Sequence, residues 1–110
     1  MSSVSNNQMP ELRRATRFPV DFETICETRK HGEFLVKLSN ISAHGCQFIH
    51  DVELNKGDRV IVRLPVAGRI EAFLVWSHSG RSGFEFERVI REPDFVAMLD
   101  AIEQSRKAKS

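Results

Sequence analysis

From Pro19 onward apolar and polar residues alternate. Val20, Phe22, Thr24 and Cys26 fall on one side and Asp21, Glu23 and Glu27 on the other, the period of two that marks a half-buried strand. Lys30-His31-Gly32 reads as a hairpin turn, because glycine accepts positive φ, and Phe34, Val36 and Leu38 then resume the alternation. A second turn is expected over residues 40–45, followed by a short strand at 46–49. Asn55-Lys56-Gly57-Asp58 punctuates the chain before another strand at 59–64. After a turn at 65–68, Ile70, Ala72, Leu74 and Trp76 alternate with Glu71, Phe73 and Val75, which predicts a strand buried on both faces with Trp76 in the core. Residues 77–82 read as a loop. Phe84 and Phe86 then face one way while Glu85 and Glu87 face the other. Beyond Pro93 the period changes: Phe95, Leu99 and Ile102 sit at helical spacing behind a Pro-Asp start that suits a helix N-terminus.

Six or seven short strands separated by glycine-containing turns are the pattern of a small antiparallel β-barrel, an all-β-dominated fold, with a C-terminal α-helix covering one opening or edge. The expected boundaries are a flexible N-terminal segment at 1–11, a basic arm at 12–18, the barrel at 19–90, the helix at 93–105 and a polar tail at 106–110. A chain of 110 residues supports one hydrophobic core, and 41% hydrophobic residues suffice to build it. With 16 basic against 15 acidic residues the net charge is +1, so no surface built to coat long nucleic acid is expected and any anion site is local. The first residues have neither the basic start nor the apolar stretch of a secretory signal. No apolar run approaches the roughly 18 residues needed to cross a bilayer, so the cytoplasm is the expected location.

The candidate chemistry lies in two short motifs. Arg13-Arg14-Ala15-Thr16-Arg17 puts guanidinium groups at i and i+4 immediately before the barrel. A guanidinium offers paired donors that fit phosphate oxygens or the O6/N7 edge of guanine, and it stacks on a purine face. By itself such a pair is more often a solvated basic arm. Asn40-x-Ser42-x-x-Gly45 places two short polar side chains and a glycine at a strand-to-strand turn; by itself it is more often an Asx or Ser turn bonded to its own backbone. The pairing of the two is the informative feature.

That arrangement, RxxxR ahead of the first strand and [D/N]xSxxG between barrel strands, resembles the PilZ family over about residues 12–105. Trp76 and Gly83-Phe84-Glu85-Phe86 match the family's late strand pair. The resemblance implies a PilZ-like split barrel that binds cyclic di-GMP, a bacterial second messenger, and relays its presence to a downstream protein partner not identifiable from sequence. The binding roles fall on Arg13, Arg17, Asn40, Ser42 and Gly45, with Arg14 and His44 in support. The arm is expected to be mobile in the free protein and pinned against the barrel by ligand. Asn40 stands where Asp is commoner, and an amide carries no charge to pair with an arginine or a guanine amino group. Leu12, just before the first motif arginine, shapes the space for one ligand or a stacked pair.

Other groups invite weaker readings. His31, His44, His50 and His78 with Cys26 and Cys46 show none of the zinc spacings, so no metal is expected, and the two cysteines read as buried free thiols. Glu85 and Glu87 lack a third group or metal, so they read as a solvated face, and no enzyme is expected. Trp76, Phe84 and Phe86 could stack bases but are taken as core. Two alternatives fit the same residues: a single-stranded nucleic-acid binder whose Arg59 and Arg63 join the arm in tracking a backbone, and a PilZ-like protein-interaction adaptor that binds no nucleotide.

Overall fold

The computed structural model describes residues 16–109, so the sequence expectations for Leu12, Arg13, Arg14 and the rest of 1–15 lie outside the described residues. Six strands, β1 (Phe18–Thr28), β2 (Gly32–Ile41), β3 (Gly45–Ile49), β4 (Arg59–Leu64), β5 (Gly68–His78) and β6 (Arg81–Phe86), precede one helix, α1 (Glu92–Lys109). All neighbours pair antiparallel in the order β1-β2-β3-β6-β5-β4, and β4 returns to β1 through Cys26↔Val62 and Glu27↔Ile61, which closes the barrel. Closure at these two pairs joins the first strand of the sheet to the last.

The alternating residues fill the interior as the period of two requires. Cys26, Val36, Leu38, Cys46, Phe48, Val60, Val62, Ala72, Leu74, Phe84 and Phe86 are all buried. Phe48 and Phe84 stack across β3 and β6 with centroids 4.4 Å apart, and full burial of each ring is worth about 1.5–3 kcal/mol. Cys26 and Cys46 are buried free thiols. Burial pushes the Cys26 thiol up to about 12 and raises Cys46 further still, so neither acts as a nucleophile while the barrel is closed.

α1 begins with Pro93 in its first turn and with Glu92 and Asp94 at its positive end, both favourable there. Phe95, Met98 and Ile102 bury against the barrel, and Phe95 meets Phe18 at the start of β1 with centroids 5.7 Å apart. The Ile90 N–H donates to the Ala43 carbonyl at 2.9 Å, so the segment leading into the helix is tied to the β2–β3 turn. The helix runs on to Lys109 rather than ending at 105, because Glu, Gln, Arg, Lys and Ala carry it through the stretch expected to be a polar tail.

Strand boundaries differ from expectation at one hairpin. Residues 77–82 do not form a loop: β5 and β6 continue to a two-residue turn at Ser79 and Gly80, both at positive φ (53° and 79°), with His78 paired to Arg81. Two consecutive left-handed residues are the geometry that matches the twist of a tight hairpin.

Candidate functional site

Strand register sets out the site. One row of directly paired residues crosses four strands: Asn40 on β2 opposite Gln47 on β3, Gln47 opposite Gly83 on β6, and Gly83 opposite Trp76 on β5. Strict alternation from Leu38 and Leu74 would turn both Asn40 and Trp76 into the core. β-Bulges between Leu38 and Asn40 and between Leu74 and Trp76 each insert one extra residue, Ser39 and Val75, and so reverse the facing. Ile41 takes the inward position instead, while Trp76 comes out 39% exposed. The expectation that Trp76 fills the core and that β5 is buried on both faces is therefore corrected. Val75 is also exposed, and the indole of Trp76 lies over Gly83, where any Cβ would collide with it.

The β2–β3 turn is held from within. The Ser42 N–H donates to the Gly45 carbonyl at 2.8 Å, and the buried Ser42 Oγ accepts from the N–H groups of His44 (3.1 Å) and Gly45 (3.2 Å). This is the side-chain-to-backbone turn that serine favours. Asn40 lies within β2, just ahead of that turn. Gly45 does not sit at positive φ; its glycine is required because a Cβ there would run into the carbonyl oxygen of Phe84 on β6. The His44 carbonyl accepts from the Phe86 N–H at 2.8 Å, which fixes the turn to β6, and His44 is half-buried.

Arg17, exposed just before β1, reaches this platform: its Nη1 donates to Asn40 Oδ1 at 2.9 Å. Asn40 Nδ2 in turn donates to Gln47 Oε1 at 2.8 Å, so both ends of the amide are engaged. Arg17, His44, Gly45, Val75, Trp76, Gly83, Phe84 and Glu85 surround one open concavity of about 290 Å³. Its floor is the backbone at two glycines, one wall is an indole, and a guanidinium stands at its rim. The structure thus brings Arg17, Asn40, Ser42, His44 and Gly45 together; Arg13 and Arg14 lie outside the described residues. Sequence reading missed Gln47, Glu85 and the outward setting of Trp76. No group of three or more His, Cys, Asp or Glu side chains able to hold a metal gathers among the described residues.

The PilZ domain profile matches residues 11–104. The chain belongs to the PilZ domain family. Solved structures agree on the fold. The PilZ domain of CeSA from a cellulose-synthesizing bacterium superposes with a TM-score of 0.59 at 12% identity, covering 84% of this chain and 99% of that one. The Bacillus subtilis inhibitor of motility, MotI/DgrA, gives 0.56 at 21% identity over 84% of this chain and 50% of its own. MrkH of K. pneumonia in its apo state gives 0.53 at 14% over 86% and 53%. This PilZ chain therefore spans about half the length of MotI and MrkH. No curated protein matches it. PilZ domains form a family of cyclic di-GMP receptors and adaptors that regulate rather than catalyse. No helix among the described residues is long and apolar enough to cross a membrane.

Proposed function

We propose that this PilZ domain is a bacterial, cytoplasmic cyclic di-GMP receptor that acts by binding and passes the signal to a protein partner. The observation that carries this reading is the hydrogen bond from Arg17 to Asn40 at the rim of a concavity walled by an outward-facing tryptophan. A guanidinium and an indole face in one open, glycine-floored space suit a guanine nucleotide: the first takes phosphate oxygens or the O6/N7 edge, the second a base face. Arg13 and Arg17 grip the ligand, with Arg14 adding attraction for a dianion. Asn40 orients Arg17, Ser42 keeps the turn in shape, and Gly45 lets the ligand approach the backbone beside His44.

With Arg17 already bonded to Asn40, ligand draws the arm arginines ahead of it onto the barrel surface, and this closure is the signal a partner reads. Ordering each arm residue costs about 1–2 kcal/mol, while each hydrogen bond to a charged group returns about 1.5–3 kcal/mol, so several contacts must form together. Outputs such as motility or polysaccharide production suit a receptor of this kind. Calorimetric titration of cyclic di-GMP into the wild type and into Arg13→Ala, Arg17→Ala and Ser42→Ala variants tests the reading. Saturable heat is expected for the wild type, with each arginine variant weakened at least about tenfold by the loss of a charge-assisted contact. No heat from correctly folded wild type would overturn it. Amide exchange across residues 13–17 should slow when ligand is present; unchanged exchange would refute the closure.

A further inference from the structure

Glu85 lies on β6 between buried Phe84 and Phe86, so its side chain leaves the outer face of the barrel, as the Gly83 position does. Two residues of strand separate them, about 7 Å. Glu85 is exposed and borders the same concavity as Arg17 and Trp76, and its carboxylate has no hydrogen bond or ion pair among the described residues. Four other outward carboxylates of the barrel are matched, Glu71 with Arg59 (3.0 Å), Glu33 with Arg63 (2.6 Å), Glu27 with Arg69 (3.3 Å) and Asp21 with Lys37 (3.5 Å); Glu23 on β1 shares with Glu85 the lack of a partner among the described residues but lines no concavity with Arg17 and Trp76.

A carboxylate with no partner among the described residues, beside a site for a dianion, weakens binding unless the ligand or an arm arginine brings donors to it. Guanine does so: its N1–H and N2 amino group are adjacent donors that fit the two oxygens of one carboxylate. Adenine offers an acceptor at N1 and no amino group at C2. The motif position that can hold an acid is Asn40 here, and both ends of its amide are already engaged by Arg17 and Gln47. We infer that Glu85 selects guanine in this site, accepting the N1–H and N2–H of a base that rests against Trp76 while Arg17 takes its phosphate or O6/N7 edge. The assignment rests on the cyclic di-GMP reading above.

Cyclic di-GMP and cyclic di-AMP titrated into the wild type, Glu85→Gln and Glu85→Ala separate the possibilities. The wild type is expected to prefer cyclic di-GMP by about 100-fold or more, since a site built to bond a polar edge rejects the analogue lacking it. Glu85→Gln should weaken cyclic di-GMP at least tenfold while cyclic di-AMP is unchanged or tighter, so the selectivity ratio collapses. If Glu85 merely adds negative charge, both variants bind both dinucleotides more tightly by the same factor, the ratio stays, and the assignment is overturned. A wild type that binds cyclic di-GMP with a ratio indifferent to Glu85 refutes this assignment alone. A wild type that does not bind cyclic di-GMP refutes the receptor reading beneath it.

Discussion

A methyl group added at Gly83 would collide with the Trp76 indole, the side chain that gives the concavity its wall. Because the indole is partly exposed, it can swing outward with little loss of core packing. Gly83→Ala is therefore expected to cost less than about 1.5 kcal/mol in stability yet weaken cyclic di-GMP about tenfold or more, since a shifted ring stacks poorly. Trp76 is the chain's only tryptophan, so its fluorescence reports both effects: a changed spectrum in the free variant and a smaller ligand-induced change. Gly45 contrasts with it. A Cβ there meets the Phe84 carbonyl oxygen, part of the β3–β6 ladder, which cannot swing aside. Gly45→Ala should lower the free energy of unfolding by about 2 kcal/mol or more, measurable by urea titration. The glycine of the motif was legible in the sequence, but its reason was not: φ is a property of one residue, whereas the close approach belongs to two strands far apart in the chain.

Among the elements, strands were readable wherever alternation held and misread where it slipped. A bulge adds one residue without changing composition, so Val75 before Trp76 looks like any strand step until β5 is paired with β6. The tight hairpin at Ser79-Gly80 was similarly hidden, since serine is not the usual residue at a left-handed first position. That hairpin is tied to β3 by His50, whose N–H donates to the Gly80 carbonyl at 3.0 Å and whose Nε2 lies 2.6 Å from Ser82 Oγ. Ser82 Oγ donates onward to Ser77 Oγ at 2.9 Å, while His50 Nδ1 has no hydrogen-bond partner among the described residues. Burial holds the ring's pKa below the usual histidine value, against the opposing pull of the Val52 backbone and the Asp51 carboxylate. As pH falls, the unfolded chain takes up this proton first, so stability present at neutral pH is lost from about 6.5 downward until the folded ring also titrates. Urea titrations at pH 7 and pH 5 should show the wild type losing more stability than His50→Gln does.

For the whole molecule, near-neutral net charge and a local site for a two-phosphate ligand predict a shallow response to salt. Cyclic di-GMP presents two phosphates, so raising salt from about 50 to 200 mM should weaken it less than about tenfold, whereas a nucleic-acid strand engaging six to ten phosphates would lose roughly 10³–10⁵. A steep loss, with tight binding of single-stranded oligonucleotides, would favour the nucleic-acid alternative. The barrel, its antiparallel pairing and its terminal helix were legible from periodicity because those features follow from which residues must leave water. Met98, one of the most buried helix residues, follows the same helical period.

The two sealed thiols have a use of their own. Because Cys26 and Cys46 are fully buried in the barrel interior, an alkylating reagent reaches them only when strands part. Their labelling rate is thus a built-in clock for barrel opening. A ligand that braces Arg17 further against the turn beside Cys46 should slow that clock, so occupancy can be timed by mass spectrometry without a tag.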